Sequence, residues 1–423
     1  MGTVIAAVVP NAAAGPADIA RAAAARGHEP VFVAVAGAMD EQAKAVHTAF
    51  GPLVECDPGD PGDAIARLRR HRPCGVTTFS EGMLPLTTDL AAGLGLPFHD
   101  HDTTTVLVNK WAQRRRLAGT GVDAVASVVV TSRDEALAVL GSRRDPVVVK
   151  PLRSQSSQDT YLVEDPTGLP AGVAPSAERP FVLEEYLEGR DQGDFGDYVS
   201  VESLFAGGRA FTLGVTGKFP LLDPFREQGQ FLPTHLPPAA RDEVVRLASR
   251  AAEALGVRQG LVHTEIKLTP RGPRIIEVNG RLGGFHSELY RRGAGLDLLE
   301  LGIAVACGEP VDPVPANPAG SVEFHCWNSP PAGGGVLRGA DGADAVRREP
   351  GVIDYVQRVP LGRELPPSVM TFQLDFLRGS APDHDTMVKT VDQCLAHLRF
   401  TFEEPDGAVR TWRASRGGLC ALG

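Results

Sequence analysis

The sequence predicts an α/β chain in its first third and α+β units after it. In residues 1–100 short apolar runs alternate with helical stretches, which is the pattern of βαβ units and a parallel sheet. Beyond residue 100 helices and strands are mixed, and from residue 198 strands come in pairs joined by turns, which is the α+β pattern. The length of 423 residues, at about 150 per domain, points to about three such units.

Taken in order, residues 3–9 read as a strand, 17–25 as a helix, 30–36 and 53–57 as strands, 64–71 as a helix, 75–80 as a strand and 84–94 as a helix. The first turn, Pro10-Asn11-Ala12-Ala13-Ala14-Gly15, lacks the glycine fingerprint of a dinucleotide-binding Rossmann unit. A second unit follows: a basic helix over 108–117, a strand over 126–130, a helix over 134–140, a strand over 146–151 and an exposed Pro-, Gly- and Ala-rich loop over 164–180. A third begins with paired strands at 198–205 and 210–217. A long amphipathic helix over 239–255 comes next, closed by Gly256, then two more strands and a helix over 294–306. Residues 308–320, rich in Pro and Gly, read as a linker, and 321–423 as a further unit of strands and helices. The expected organisation is therefore 1–100, then 101–310 in two lobes (about 101–190 and 191–310), then 311–423.

Composition narrows the function classes. Apolar residues make up 43% and charged residues 22%, so chain-wide disorder is excluded. No 18-residue run is free of polar groups, which excludes a polytopic membrane protein. The net charge of −10 opposes nucleic-acid binding by bulk charge. Residues 1–5 read as a first strand and not a signal peptide, and the expected location is the cytoplasm. The cysteines Cys56, Cys74, Cys307, Cys326, Cys394 and Cys420 form no Cys-x-x-Cys pair, and read as reduced, small core residues.

The stretch from Leu261 to Arg281 carries the most chemistry. Two β runs flank the turn Thr269-Pro270-Arg271-Gly272-Pro273. Side chains alternate faces along a strand, so His263, Glu265 and Lys267 share one face, as do Ile275, Glu277 and Asn279. A register symmetric about Arg271 sets Glu265 opposite Glu277 and His263 opposite Asn279. Opposed carboxylates repel unless a cation lies between them, and Glu, Glu and Asn oxygens suit Mg²⁺. Arg281 follows closely enough to reach an anion held there. An exposed hairpin with solvated acids is the alternative, and the flanking Leu261, Val262, Ile266, Ile275 and Ile276 weigh against it.

Two further stretches fit the same chemistry. Lys150 ends the strand Val147-Val148-Val149-Lys150-Pro151, ahead of a small polar loop containing Ser154, Ser156 and Ser157. Such a loop can lay N–H groups and a point charge along phosphates. A P-loop is excluded, because Phe219 follows Gly217-Lys218 where a hydroxyl residue is needed. Residues 181–189 form a strand running into a turn, whose backbone can read an adenine edge.

The order Lys110, Lys150-Pro151, Glu184-Glu185-Tyr186-Leu187, Glu265, Glu277-x-Asn279-x-Arg281 resembles the ATP-grasp superfamily of carboxylate–amine ligases, over residues 1–310. Ser80-Glu81, the segment Pro224-Phe225-Arg226-Glu227-Gln228-Gly229 and Gly283-Gly284 are most similar to amino-acid (dipeptide) ligases and carnosine-synthase-like enzymes. The resemblance implies an ATP-grasp fold: a parallel-sheet N-terminal pre-domain, a two-lobed ATP clamp and a C-terminal α+β domain. It implies Glu265, Glu277 and Asn279 as Mg²⁺ ligands, Lys110 and Lys150 on the ATP phosphates, Glu184, Glu185, Tyr186 and Leu187 at the adenine, and Arg281 on the acyl phosphate. The Ser- and Gln-rich loop replaces the family's Gly-rich one, and Asp197 is the choice for the ribose. Glu81, Glu227, His263, Gly284 and His286 are placed at the substrates, with a core or loop role for His286 as the alternative.

The implied activity is activation of a carboxylate, that of an amino acid, as an acyl phosphate by ATP, and its joining to an amine with release of ADP and phosphate. The implied cofactors are ATP with two Mg²⁺ ions, or Mn²⁺ in their place. The implied partners are small-molecule carboxylates and amines, with neither nucleic acid nor membrane, and with a homodimer allowed. Two other readings stand beside this one: another ATP-grasp chemistry such as carboxylation, and a non-catalytic nucleotide-binding module.

Overall fold

A computed structural model describes residues 3–9, 13–154, 156–312, 320–367 and 370–422. Four parallel strands form the first sheet: β1 (Thr3–Val9), β2 (His28–Val35), β3 (Leu53–Cys56) and β4 (Pro73–Thr78), in the order β3-β2-β1-β4. The run Ile5 to Val9 is wholly buried, as expected of a parallel strand covered on both faces. Helices α1 (Pro16–Ala25), α2 (Glu41–Thr48), α3 (Gly62–His71) and α4 (Leu84–Leu94) cover it. The sequence reading missed α2, although the side chain of Asp40 accepts a hydrogen bond from Ala43 N and caps the helix. The expected Gly15-side turn falls partly on residues 10–12, outside the described residues.

Helices α5 (His101–Leu107) and α6 (Lys110–Gly119) lead into the first lobe. There β5 (Ser127–Val130), α7 (Arg133–Gly141), β6 (Val147–Pro151), β7 (Tyr161–Val163) and β8 (Phe181–Glu185) build an antiparallel sheet in the order β5-β8-β6-β7. The second lobe holds β9 (Tyr198–Ala206), β10 (Arg209–Lys218), β11 (Gly229–Leu232), α8 (Pro238–Ala254), β12 (Gly260–Thr269) and β13 (Gly272–Asn279). The apolar stripe of α8, Val244, Ala248, Ala251 and Ala252, packs against Val262, Ile266, Ile275 and Val278 of the hairpin.

The helix expected over 294–306 starts later, as α10 (Leu298–Ala306), and the sequence reading missed the helix before it, α9 (His286–Ala294). Gly295 takes φ +66 to end α9, and Asp297 caps α10 by accepting from Leu299 N and Glu300 N. Most of the expected linker, residues 313–319, lies outside the described residues.

The C-terminal residues form β14 (Val322–Cys326), β15 (Gly335–Asp341), α11 (Ala343–Val346), β16 (Val352–Gln357), β17 (Glu364–Leu365), β18 (Asp375–Ala381), α12 (His384–His397), β19 (Arg399–Glu403), β20 (Val409–Ser415) and β21 (Gly418–Ala421). They do not all stand apart from the second lobe. Strands β14, β18 and β16 continue its sheet, in the order β13-β12-β9-β10-β11-β14-β18-β16, while β17-β15-β19-β20-β21 is a sheet of its own.

The expectation of six reduced core cysteines is corrected at three positions. Cys74 and Cys307 form a disulfide, 233 residues apart in the chain, and Cys420 is exposed. Cys56, Cys326 and Cys394 are free and buried, as expected. The chain path that brings β4 against the end of α10 is invisible to Cys spacing. Among the described residues no helix is long and apolar enough to cross a membrane.

Candidate active site

The hairpin β12–β13 pairs in the expected register: His263 faces Asn279 and Glu265 faces Glu277. A bulge then shifts the pairing so that Ile266 meets Ile275. The expected sharing of one face by Ile275 and Glu277 is therefore wrong. Ile275 is fully buried in the core beneath, whereas Ile276 lines the cleft beside Glu277.

The cleft lies between the two lobes. Glu265, Glu277, Asn279 and Arg281 form its floor, together with Lys110 and Lys150. Ser154, Ser156 and Ser157 border it on one side, and Glu184, Glu185, Tyr186 and Leu187 at the strand end. Glu81 and Glu227 close the remaining side.

Both polar atoms of the Asn279 side chain are buried without a hydrogen-bond partner. An amide left so at the end of a carboxylate pair fits a cation ligand, since a buried polar group without a partner is costly. Three hard oxygen donors match Mg²⁺, so Glu265, Glu277 and Asn279 are suited to hold it.

The lysines are held by carboxylates. Lys110 Nζ lies 2.6 Å from Glu277 Oε1 and donates to the carbonyl of Ser154 at 2.8 Å. Burial draws its ammonium down in pKa, but Glu277 and Glu81 outweigh that and the net shift is upward. Lys150 Nζ lies 2.8 Å from Glu184 Oε2. Its burial wins over Glu184, with Arg114 and Lys110 adding repulsion, and its pKa is lowered. Glu184 also takes a two-pronged contact from Arg114, at 2.9 and 3.0 Å. Burial opposes its ionisation, yet the two cations hold its carboxyl far below the usual range. The Glu184 side chain thus fixes cations, and its backbone forms the strand end that borders the cleft.

Glu81 accepts from Arg281 at 3.0 Å. Burial and the charge of Glu277 nonetheless push its pKa up. Glu227 accepts from Tyr198 Oη at 3.3 Å and from the buried Lys218 at 3.2 Å.

Four of the expected site residues are not on the cleft wall. His263 stands behind Glu265, with Nδ1 2.5 Å from Glu202 and Nε2 3.1 Å from Glu265. Burial opposes its charge, but Glu202 raises its pKa to about 9, so it is an imidazolium joining two carboxylates. His286 lies beside it, bonded to Ser200, and burial lowers it to about 3, so it is neutral. The carbonyl of Gly284 accepts from His286 Nδ1 and Gln230 Nε2. Asp197 pairs with Lys267 at 2.6 Å, and it is Lys267 that lines the cleft.

Known proteins share parts of this arrangement. Residues 143–288 match the ATP-grasp domain family. Over that stretch the chain is similar to an ATP-grasp domain. It is 30% identical over 209 residues to an alanine–anticapsin ligase of Bacillus subtilis (strain 168), covering 44% of each chain. Over 133 residues it is 35% identical to carnosine synthase 1 of Homo sapiens, covering 30% of this chain and 15% of that one. The chain thus spans less than half the length of these relatives. In fold it matches an L-amino acid ligase from Bacillus licheniformis with a TM-score of 0.75 at 22% identity, covering 94% of this chain and 98% of that one. The ATP-grasp fold expected from the sequence is therefore the fold found, pre-domain and C-terminal unit included.

Sequence reasoning missed several residues of the ATP-grasp cleft. Arg114 is buried at 4% exposure and donates to the carbonyls of Ile275 and Ile276 as well as to Glu184. Its position one turn after Lys110 on α6 was the available signal. Gln113 clips the same helix to β13, exchanging hydrogen bonds with Val278 N and O at 2.8 and 2.9 Å. Val148, Leu221 and Phe225 supply apolar wall beside Tyr186.

Proposed function

We propose that the protein is an ATP-dependent, ADP-forming carboxylate–amine ligase whose carboxylate substrate is an amino acid. One observation carries the reading: a single cleft gathers Glu265, Glu277 and Asn279 with the cations of Lys110, Lys150 and Arg281. That is a site for a polyanion with its metal. The named relatives, which include an alanine–anticapsin ligase, support the amide-forming chemistry.

In this reading Glu265, Glu277 and Asn279 would hold Mg²⁺, two ions of it, which would neutralise charge on the triphosphate. Lys110 and Lys150 hold the phosphates as point charges, and the strand end at Glu184 to Leu187 takes the adenine between Val148, Ile276 and Tyr186. A substrate carboxylate oxygen attacks the γ-phosphorus and the bond to the ADP oxygen breaks, giving an acyl phosphate. The amine nitrogen then attacks the acyl carbon, the bond to phosphate breaks and the nitrogen loses a proton, leaving the amide. Such transfer depends on positioning and charge more than on covalent help. Arg281 faces the acyl phosphate and Glu81 and Glu227 face a substrate ammonium. His263 acts through Glu265, which it holds in place.

The test is a screen of amino acids in pairs with Mg²⁺ and ATP, reading ADP and phosphate. Release that requires an amino acid and yields a new amide supports the proposal. ATP consumption that requires bicarbonate instead, or no consumption with any pair, overturns it.

A further inference from the structure

A cluster outside the cleft lining, at the other end of β4 from Glu81, joins the first sheet to α10. Cys74 lies at the start of β4 and Cys307 directly after α10, with Cα atoms 4.8 Å apart. This spacing suits a disulfide. The two chain segments touch closely here: a Cβ on Gly75 would lie 2.2 Å from the carbonyl oxygen of Ala306. Both cysteines are half-buried and Gly308 beside them is exposed, so a small thiol can reach the bond.

His28 makes the pair more than a staple. Its Nδ1 lies 2.5 Å from Thr3 Oγ1 and 3.9 Å from Cys74 Sγ, and its Nε2 lies 2.7 Å from Glu309 Oε1. Arg26 holds the other oxygen of Glu309. With the Nε2 proton donated to Glu309, Nδ1 is the basic nitrogen: it accepts from the Thr3 hydroxyl, has the Cys74 sulfur as its next neighbour, and can take the thiol proton once that hydroxyl rotates away. That is the arrangement by which an imidazole activates a thiol, with a carboxylate steadying the imidazolium. The thiol and imidazole atoms of His28, Cys74 and Cys307 lie within 4.8 Å of one another, which also suits a metal. The short Cα separation and the direct bond between the sulfurs favour the disulfide.

We propose that Cys74 and Cys307 are a reversible thiol–disulfide site, with low-molecular-weight thiols and disulfides as reactants, that clasps α10 to β4. In the dithiol form the Cys74 proton passes to His28 Nδ1. The thiolate attacks a small disulfide, forming a mixed disulfide and expelling one thiolate. The Cys307 sulfur then attacks the Cys74 sulfur, closing the protein bond and expelling the second small thiol. Two thiols return the site to the dithiol form, so two electrons pass each way.

The experiment equilibrates the full chain in mixtures of reduced and oxidised glutathione, quenches in acid, alkylates after unfolding and maps the cysteines by mass. Cys74 and Cys307 should pass together from alkylated to linked as oxidised glutathione rises, while Cys56, Cys326, Cys394 and Cys420 stay alkylated. The oxidised chain should melt above the reduced one, and Cys307→Ser should abolish that difference. In Cys307→Ser, alkylation of Cys74 relative to Cys420 in the same molecule should slow at least about tenfold when His28→Asn is added. The proposal is overturned if Cys74 and Cys307 remain thiols in fully oxidised glutathione or stay linked in fully reduced glutathione. It is also overturned if the reduced chain retains Zn²⁺ that Cys74→Ser releases, or if the His28 substitution leaves the folded double variant's alkylation rate unchanged.

Discussion

At Glu277 one side chain holds an ammonium 2.6 Å away on Lys110, and in the proposed reading it also holds the cation that Asn279 and Glu265 are suited to share. Glu277→Gln keeps the shape and removes the charge. ADP formation should fall at least about 100-fold, as loss of a charged ligand costs no less than loss of a supporting one. The circular dichroism spectrum should be unchanged, and near-normal turnover would remove Glu277 from the metal site. This residue was legible in the sequence because β alternation and a turn suffice to pair it with Glu265. Arg114 was not, because its partner Glu184 lies 70 residues away and a basic helix gives no sign of which arginine turns inward. His263 was read at the substrate for the same reason. Alternation places it on the Glu265 face but cannot show that Glu202 on β9 draws it behind the Glu265 carboxylate.

Among the elements, the hairpin was the most legible and still hid its bulge. Alternation carried the pairing correctly from Asn279 to Glu277 and failed at Ile276, where one extra residue turns an apolar side chain into the cleft. The end of α9 and the start of α10 were written in Gly295 and Asp297, an end signal and a start signal two residues apart, but only the apolar stretch of α10 reads as a helix, because α9 carries charged and polar residues between its buried ones. The approach of α10 to β4 depends on Gly75. Gly75→Ala sets a methyl against the backbone atoms of Ala306 and Cys307, which cannot move as a side chain would. The substitution should lower stability by about 1–3 kcal/mol, read as an earlier urea midpoint with an unchanged slope. An unaltered midpoint would show that the contact is looser than described.

The whole molecule is bound together by a sheet that crosses from the second lobe into the C-terminal residues, which a boundary drawn at residue 311 on a Pro- and Gly-rich stretch does not reveal. Charge spans the same junction. Glu288 on α9 lies 2.5 Å from His325 on β14 and 2.6 Å from Arg292, with Arg378 of β18 at 3.8 Å. Burial raises its pKa, but His325, Arg292 and Arg378 outweigh that and hold it at about 2 against an ordinary 4.5. A depressed carboxyl stabilises the fold above its unfolded pKa and loses that contribution as pH falls to the folded value. The gap in urea midpoint between wild type and Glu288→Gln should therefore be full at pH 7 and close between about pH 4.5 and 2. A gap that persisted at pH 2 would deny the carboxylate its role. The central claim, that a carboxylate is phosphorylated in this cleft, meets its most direct test in an oxygen label. With the carboxylate substrate identified by the amino-acid screen and labelled with ¹⁸O, one labelled oxygen should appear in the inorganic phosphate released with ADP. Label found in AMP, or phosphate free of label while amide forms, would contradict it.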